Sequence, residues 1–137
     1  MMRTKKEITQ LSYDITGYAI KVHKALGPGL LESVYEKCLI HELRKNGHSI
    51  QQQLKVPIIY DEELIFDADL KVDILVDDTV VVELKATEDM RPIYEAQLLT
   101  YMKILKKPQG LLINFFTDNI TKSMKPFVNE YFRELEE

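Results

Sequence analysis

The chain has 137 residues, 45% of them apolar and 29% charged, with a formal net charge of −4 and a pI near 5.4. That length suits one domain around a single core, and no apolar run approaches the roughly 20 residues that span a bilayer. The acidic balance argues against a nonspecific nucleic-acid coat, which attracts phosphate with a basic surface. The polar start Met-Met-Arg-Thr-Lys-Lys has no apolar stretch behind it to make a secretory signal. A cytoplasmic protein with no membrane segment is expected.

Residues 7–26 place Ile8, Leu11, Ile15, Tyr18 and Val22 at three- and four-residue steps, which predicts an amphipathic helix. Gly27-Pro28-Gly29 breaks it, because proline lacks an amide donor and glycine accepts positive φ. A second helix over about 30–46 turns Leu31, Val34, Cys38, Leu39 and Leu43 inward and stops at Gly47. Cys38, the lone cysteine, has no disulfide partner and no zinc-spaced neighbours, and reads as a core thiol.

From Gln52 the pattern becomes strand-like: LKVPIIY, LIFDADL, KVDILV and VVVELKA, separated by Asp61-Glu62-Glu63 and Asp77-Asp78-Thr79. Short turns between them predict antiparallel neighbours, and Pro57 confines the first to a sheet edge. After Ala86, Thr87 or Asp89 can cap a helix that has Pro92 near its first turn and runs to about Leu105. Pro108-Gln109-Gly110 ends it, and GLLINFF follows as a short apolar strand. The tail from Asp118 adds a short strand or helix with Phe127, Tyr131 and Phe132 inward. A helix between two strands is long enough to cross over. The order therefore predicts an α/β fold: a mixed central sheet, an antiparallel meander plus a parallel crossover strand, flanked by helices.

The run VDILVDDTVVVELKA sets Asp73, Glu83 and Lys85 among valines. If Asp77-Asp78-Thr79 is a three-residue connection, Val76 faces Val80, and the same register puts Asp73 opposite Glu83 with β-carbons roughly 4.5 to 5.5 Å apart. Strand alternation adds Lys85 to that face. Two desolvated carboxylates side by side need a positive partner. Lys85 alone would make this a buried ion-pair network. A divalent cation does it better: Mg²⁺ or Mn²⁺ takes carboxylate and carbonyl oxygens and substrate phosphate, leaving Lys85 free to orient or deprotonate water or to offset transition-state charge.

This Asp then Glu-x-Lys arrangement on adjacent strands resembles the active-site pattern of the PD-(D/E)XK nuclease superfamily, with Val72 where that pattern has proline. Gln97 and Tyr101, four apart on the predicted crossover helix, resemble the QxxxY motif of its RecB-like and lambda-exonuclease-like branches, where the pair helps position substrate. Gly29-Leu-Leu-Glu32-Ser-Val-Tyr35, with VHKALGPG, EAQLLTYM and GLLINF, is similar to the bacterial GxxExxY family of that superfamily from about Ile15 to Phe116. The resemblance implies a restriction-endonuclease-like core, a nucleic-acid partner, DNA foremost, and Asp73 and Glu83 as metal ligands with Lys85 catalytic. Glu32 would be an auxiliary acid joining the metal shell, and Gln97 and Tyr101 would position substrate.

Plainer roles stand beside these. Glu32 in a first helical turn complements the macrodipole by about 0.3 to 1 kcal/mol, Tyr35 can pack in the core or meet Glu32, and Tyr101 and Gln97 can be ordinary helix residues. His23, at a helix C-terminus, suits a capping or packing role, with a place in the site as the alternative, since RecB-like nucleases often use a histidine upstream of the Asp, and His41 and His48 read as surface positions. Lys5, Lys6, Lys103, Lys106, Lys107, Lys122 and Lys125 form a basic rim or are scattered solvated charges. Three functions remain: a Mg²⁺- or Mn²⁺-dependent DNA hydrolase, a binding or assembly module that keeps the fold and cuts nothing, or an enzyme on RNA or nucleotides. A short chain offers little area to grip a duplex, so a homodimer or larger protein partner is expected.

Overall fold

A computed structural model describes residues 2–66 and 70–137, without the side chain of Phe66. Helix α1 covers Lys5–Leu26. It starts ahead of the apolar stripe because Thr4 and Glu7 close a capping box: the Glu7 N–H donates to Thr4 Oγ1 at 3.1 Å and the Thr4 N–H to Glu7 Oε1 at 2.9 Å. Gly27 at φ 71° and Gly29 at φ 101° then turn the chain into α2, Glu32–Lys45. This turn needs glycine, since a side chain at such φ is strained.

The buried face of α2 differs from the expected one. Leu39 and Leu43 are buried as expected, but Leu31 is 74% exposed, Val34 is exposed too and Cys38 is half-buried, and Tyr35 and Ile40 are buried in their place. Leu31 precedes the helix as its N-cap, so it is not on the stripe. Tyr35 sets the rotation: its ring stacks on Phe115 at 4.4 Å, and its hydroxyl donates to the Gly27 carbonyl and accepts from the Leu30 N–H. Tyr35 thus packs in the core and ties down the glycine turn.

Seven strands follow among the described residues. β1 (Ile50–Lys55), β4 (Lys71–Val76), β5 (Val80–Lys85), β6 (Gln109–Asn114) and β7 (Met124–Val128) form one sheet in the order β1-β4-β5-β6-β7. The β5–β6 pair is parallel and the other pairs antiparallel, so the mixed sheet is present. The meander has an excursion, however: among the described residues β2 (Ile58–Tyr60) and β3 (Glu63–Phe66) pair only with each other, as a separate hairpin. LKVPIIY is divided because Val56 and Pro57 fall between β1 and β2, and β1 is an edge strand. Asp67-Ala68-Asp69 of LIFDADL lies outside the described residues.

The crossover from β5 to β6 runs through α3, Pro92–Leu105. Neither Thr87 nor Asp89 caps it. Arg91 is the N-cap residue, Thr87 Oγ1 instead accepts from the Asp89 N–H, and Asn114 holds the Thr87 backbone. In the tail, α4 (Ile120–Ser123) leads to β7, and α5 (Glu130–Arg133) closes the chain.

The sheet divides two cores. On one face Ile74, Val76, Val80, Val82 and Leu84 pack against Ile15, Ala19, Tyr35 and Leu39 of α1 and α2. On the other, Leu75 and Val81 pack against Leu98 and Met102 of α3. α3 lies so close to β6 that a β-carbon on Gly110 would sit 2.7 Å from Met102 Sδ and 2.9 Å from Leu98 Cδ1. No helix among the described residues is long and apolar enough to cross a membrane.

Candidate active site

The site begins at a turn. Asp77 and Asp78 both have left-handed φ (50° and 53°), and the Thr79 N–H donates to the Val76 carbonyl at 2.9 Å. This is the geometry favoured between twisted strands, and Thr79 is one extra residue in the connection. Val76 therefore pairs with Val80, Leu75 with Val81 and Ile74 with Val82. Continuing that register sets Asp73 against Glu83, as the spacing predicts.

Between these two residues the ladder stops and the side chains take over the backbone's hydrogen bonds. The Asp73 N–H donates to Glu83 Oε1 at 2.9 Å, and the Leu84 N–H donates to Asp73 Oδ2 at 2.8 Å. Beyond this point β4 stays with β1 (Lys55 opposite Lys71) and β5 stays with β6 (Lys85 beside Asn114). The sheet forks, and the two carboxylates sit in the fork.

Their electrostatics are those of two crowded acids. Burial, then the charge of Asp73, pushes the Glu83 carboxyl up to about 8, against opposing help from the Asp73 amide and Lys85. Asp73 is also raised, by burial first and by Glu36, while the Leu84 amide, Gln53 and Lys85 act the other way. Among the described residues no Lys, Arg or His nitrogen lies within 4.0 Å of either carboxylate. Lys85 is near enough to be felt, yet its Nζ sits 4.3 Å from the centroid of the Tyr94 ring on α3, a cation–π placement. It is not a direct counter-ion for the pair.

Glu32, in the first turn of α2, is raised by burial and then by the Asp73 charge, which Lys85 partly offsets. It therefore lies within electrostatic reach of the fork. Tyr101 is raised by burial and then by Glu83, which brings α3 to the site from the other side. Gln97 is exposed and makes no hydrogen bond to the carboxylates among the described residues. The structure thus joins Asp73 and Glu83 directly, sets Lys85, Glu32 and Tyr101 within electrostatic reach of them, and leaves Gln97 exposed.

Three participants were not expected. Tyr94 lies three residues before Gln97 on α3, and that helical spacing was the available signal. Glu36 lies one turn beyond Glu32, is 7% exposed, and accepts hydrogen bonds from Gln52 Nε2 at 2.6 Å and Gln53 Nε2 at 2.9 Å. Gln53 also donates to Asp73 Oδ1 at 3.3 Å. Its backbone is left-handed at φ 52°, a strain on the order of 1 to 2 kcal/mol for a residue with a β-carbon.

The other histidines and the lysines stay apart. His23 Nε2 meets the Thr117 carbonyl at 2.8 Å, a packing role. His48, expected at the surface, is instead largely enclosed: Nδ1 is 2.7 Å from Asp77 Oδ2 and Nε2 is 3.0 Å from the Tyr18 hydroxyl. Lys5, Lys107 and Lys125 pair with Glu137, Asp78 and Glu95, which removes them from a basic rim.

As a donor set the fork suits a hard divalent cation. Glu83 spends one oxygen on a backbone amide and keeps the other, while Asp73 accepts from the Leu84 amide on Oδ2 and from Gln53 Nε2 on Oδ1, each oxygen keeping a lone pair. Among the described residues no three His, Cys, Asp or Glu side chains group tightly enough to hold an ion unaided.

A mixed sheet between helices, parted at two acids and followed by a lysine on the next inward position, is an α/β frame of the restriction-endonuclease type. Comparison with protein-family models matches residues 9–127 to the PD-(D/E)XK nuclease superfamily. The chain belongs to that superfamily, and its function is accordingly of the nuclease type. Neither the curated proteins nor the solved structures returned a match.

Proposed function

We propose that the chain is a Mg²⁺- or Mn²⁺-dependent hydrolase of phosphodiester bonds in DNA, of the GxxExxY kind, working in the cytoplasm. The observation that carries this reading is the fork: two buried carboxylates, one raised to about 8, with no cation beside them among the described residues and a lysine parked on an adjacent ring. Asp73 and Glu83 hold the metal and Glu32 supports its shell. A bound Mg²⁺ supplies the Lewis acidity that activates water and polarises a phosphoryl oxygen. Lys85, held by Tyr94, offsets the negative charge gathering on the phosphate. Tyr101 beside Glu83, with Gln97 one turn earlier at the rim, positions the substrate backbone.

The test is calorimetry with Mg²⁺ and Mn²⁺ on the wild type and on Asp73→Asn with Glu83→Gln, followed by cleavage assays on single- and double-stranded DNA and RNA. Binding lost in the double variant, and cleavage abolished by Lys85→Ala in a folded protein, is the expected result. A fully active Lys85→Ala protein defeats the mechanism.

A second reading, a nucleic-acid- or protein-binding module that retains the fold, is favoured by one observation. The β2–β3 hairpin exposes Ile59, Tyr60, Leu64 and Ile65 around an acidic turn, a surface suited to a protein partner or a second copy. A wild type that takes up neither metal, even with a short oligonucleotide present, selects this module.

A further inference from the structure

Across β1 from Asp73 stands a residue that the ladder skips. β1 pairs with β4 at Gln52–Ile74 and at Leu54–Val72, and Gln53 between them forms no such pair. Its left-handed backbone instead aims its amide back over the fork. Glutamine lacks the short polar side chain that lets Asn or Asp settle in this conformation, so the strain needs a reason.

The reason lies in what the amide joins. Gln53 Nε2 reaches both oxygens of Glu36, at 2.9 and 3.2 Å, and Asp73 Oδ1 at 3.3 Å. An amide nitrogen has two hydrogens, one for each acid. Glu36 is anchored in turn by Gln52 and, among the described residues, has no cationic nitrogen within 4.0 Å. Glu36 is thus a fixed acceptor that holds the Gln53 amide by its far side. On Asp73 the result is symmetrical: the Leu84 amide holds Oδ2 and the Gln53 amide holds Oδ1. Both oxygens retain a lone pair, and the plane of the carboxylate is set.

We propose that Gln53, anchored by Glu36, is a positioning residue that fixes the rotation of the Asp73 carboxylate for a divalent cation. The inference rests on the metal-dependent reading above. Partners that orient a metal ligand are worth ten- to a hundredfold in metal affinity or activity.

The test uses Gln53→Gly, which accepts the left-handed backbone without strain, and Gln53→Met, which keeps the side chain's length and removes its donor. Mn²⁺ affinity is read by calorimetry beside wild type, with circular dichroism to confirm folding, and kcat and KM are measured on an oligonucleotide. Both variants are expected to lose ten- to a hundredfold in Mn²⁺ affinity, and at saturating Mn²⁺ to lower kcat while KM stays within about twofold. Because Gln53→Gly relieves the backbone, a folding defect cannot imitate this pattern in both. Wild-type Mn²⁺ affinity in the folded variants overturns the positioning role and leaves the nuclease reading standing. No Mn²⁺ uptake by the wild type, with oligonucleotide present, removes both.

Discussion

Replacing Glu83 with Gln reads the strain in the fork directly, in protein stripped of metal by a chelator. Glu83 titrates at about 8 in the folded chain against an ordinary 4.5. Its folded value is the raised one, so the native state keeps a proton that the unfolded chain has released. The stability linked to that proton is fully present below about pH 4.5 and is lost as pH rises through about 8. At 1.36 kcal/mol for each factor of ten in proton affinity, the interval corresponds to a loss on the order of 5 kcal/mol. Gln keeps an oxygen to accept the Asp73 N–H and carries no charge. The variant should therefore be nearly flat between about pH 5 and 9, apart from a residual slope from Asp73 and Glu32, which burial also raises, and, at the alkaline end, more stable than the wild type by several kcal/mol. Urea denaturation at steps of one pH unit measures both curves. A wild type that is equally flat, or a variant with the wild-type slope, refutes the claim that these acids are crowded and without a counter-ion.

Three further substitutions probe what holds the site in place. Tyr35→Phe leaves the Gly27 carbonyl and the Leu30 amide without their shared hydroxyl, and urea denaturation should show a loss of about 1 to 3 kcal/mol. Gly110→Ala drives a β-carbon into Met102 and Leu98 beneath α3. It should cost about 1 to 3 kcal/mol and, by displacing the helix that carries Tyr101, lower cleavage as well. Burial alone would raise Asp77, but hydrogen bonds from His48 and the Ser49 amide, with the charges of His48 and Arg3, outweigh it and hold the carboxyl below its usual range. Its stabilisation is therefore present above about pH 4 and lost as pH falls through the lower folded value. Asp77→Asn should weaken the fold at neutral pH and flatten its acid-unfolding limb, followed by far-ultraviolet circular dichroism.

The fork was legible because three local rules agree in VDILVDDTVVVELKA. The paired aspartates tolerate left-handed φ, one extra residue follows them, and strand alternation does the rest. Acidic side chains in a valine run then have few explanations. The α2 stripe was misread because Leu31 and Val34 are as apolar as Leu39 and Leu43, and only the Tyr35–Phe115 stack, between residues far apart in sequence, decides which face turns inward. The hairpin β2–β3 escaped for a related reason: its spacing is as strand-like as that of β1, and pairing partners are a tertiary choice. His48 reads as a surface residue in the sequence because its partners, Tyr18 and Asp77, are distant along the chain. Gln53 was the least legible. Nothing in a run of three glutamines says which one bends.

These particulars link the fold's stability to its chemistry. The turn at Asp77-Asp78-Thr79 sets a register, and the register places two acids face to face. The acids accept the amides that the ladder would otherwise have joined, and so the strands part. A sheet built only for stability would close this gap with another backbone pair and two apolar side chains. Here the chain instead holds a raised carboxyl, a buried Glu36 and a strained Gln53 within reach of one another. Crowded acids disfavour the fold when alone, and a cation bound between them would return part of that energy as affinity. The strain and the binding capacity are thus one feature, which is why a substitution that relaxes the fork should stabilise the protein and weaken its grip on metal together.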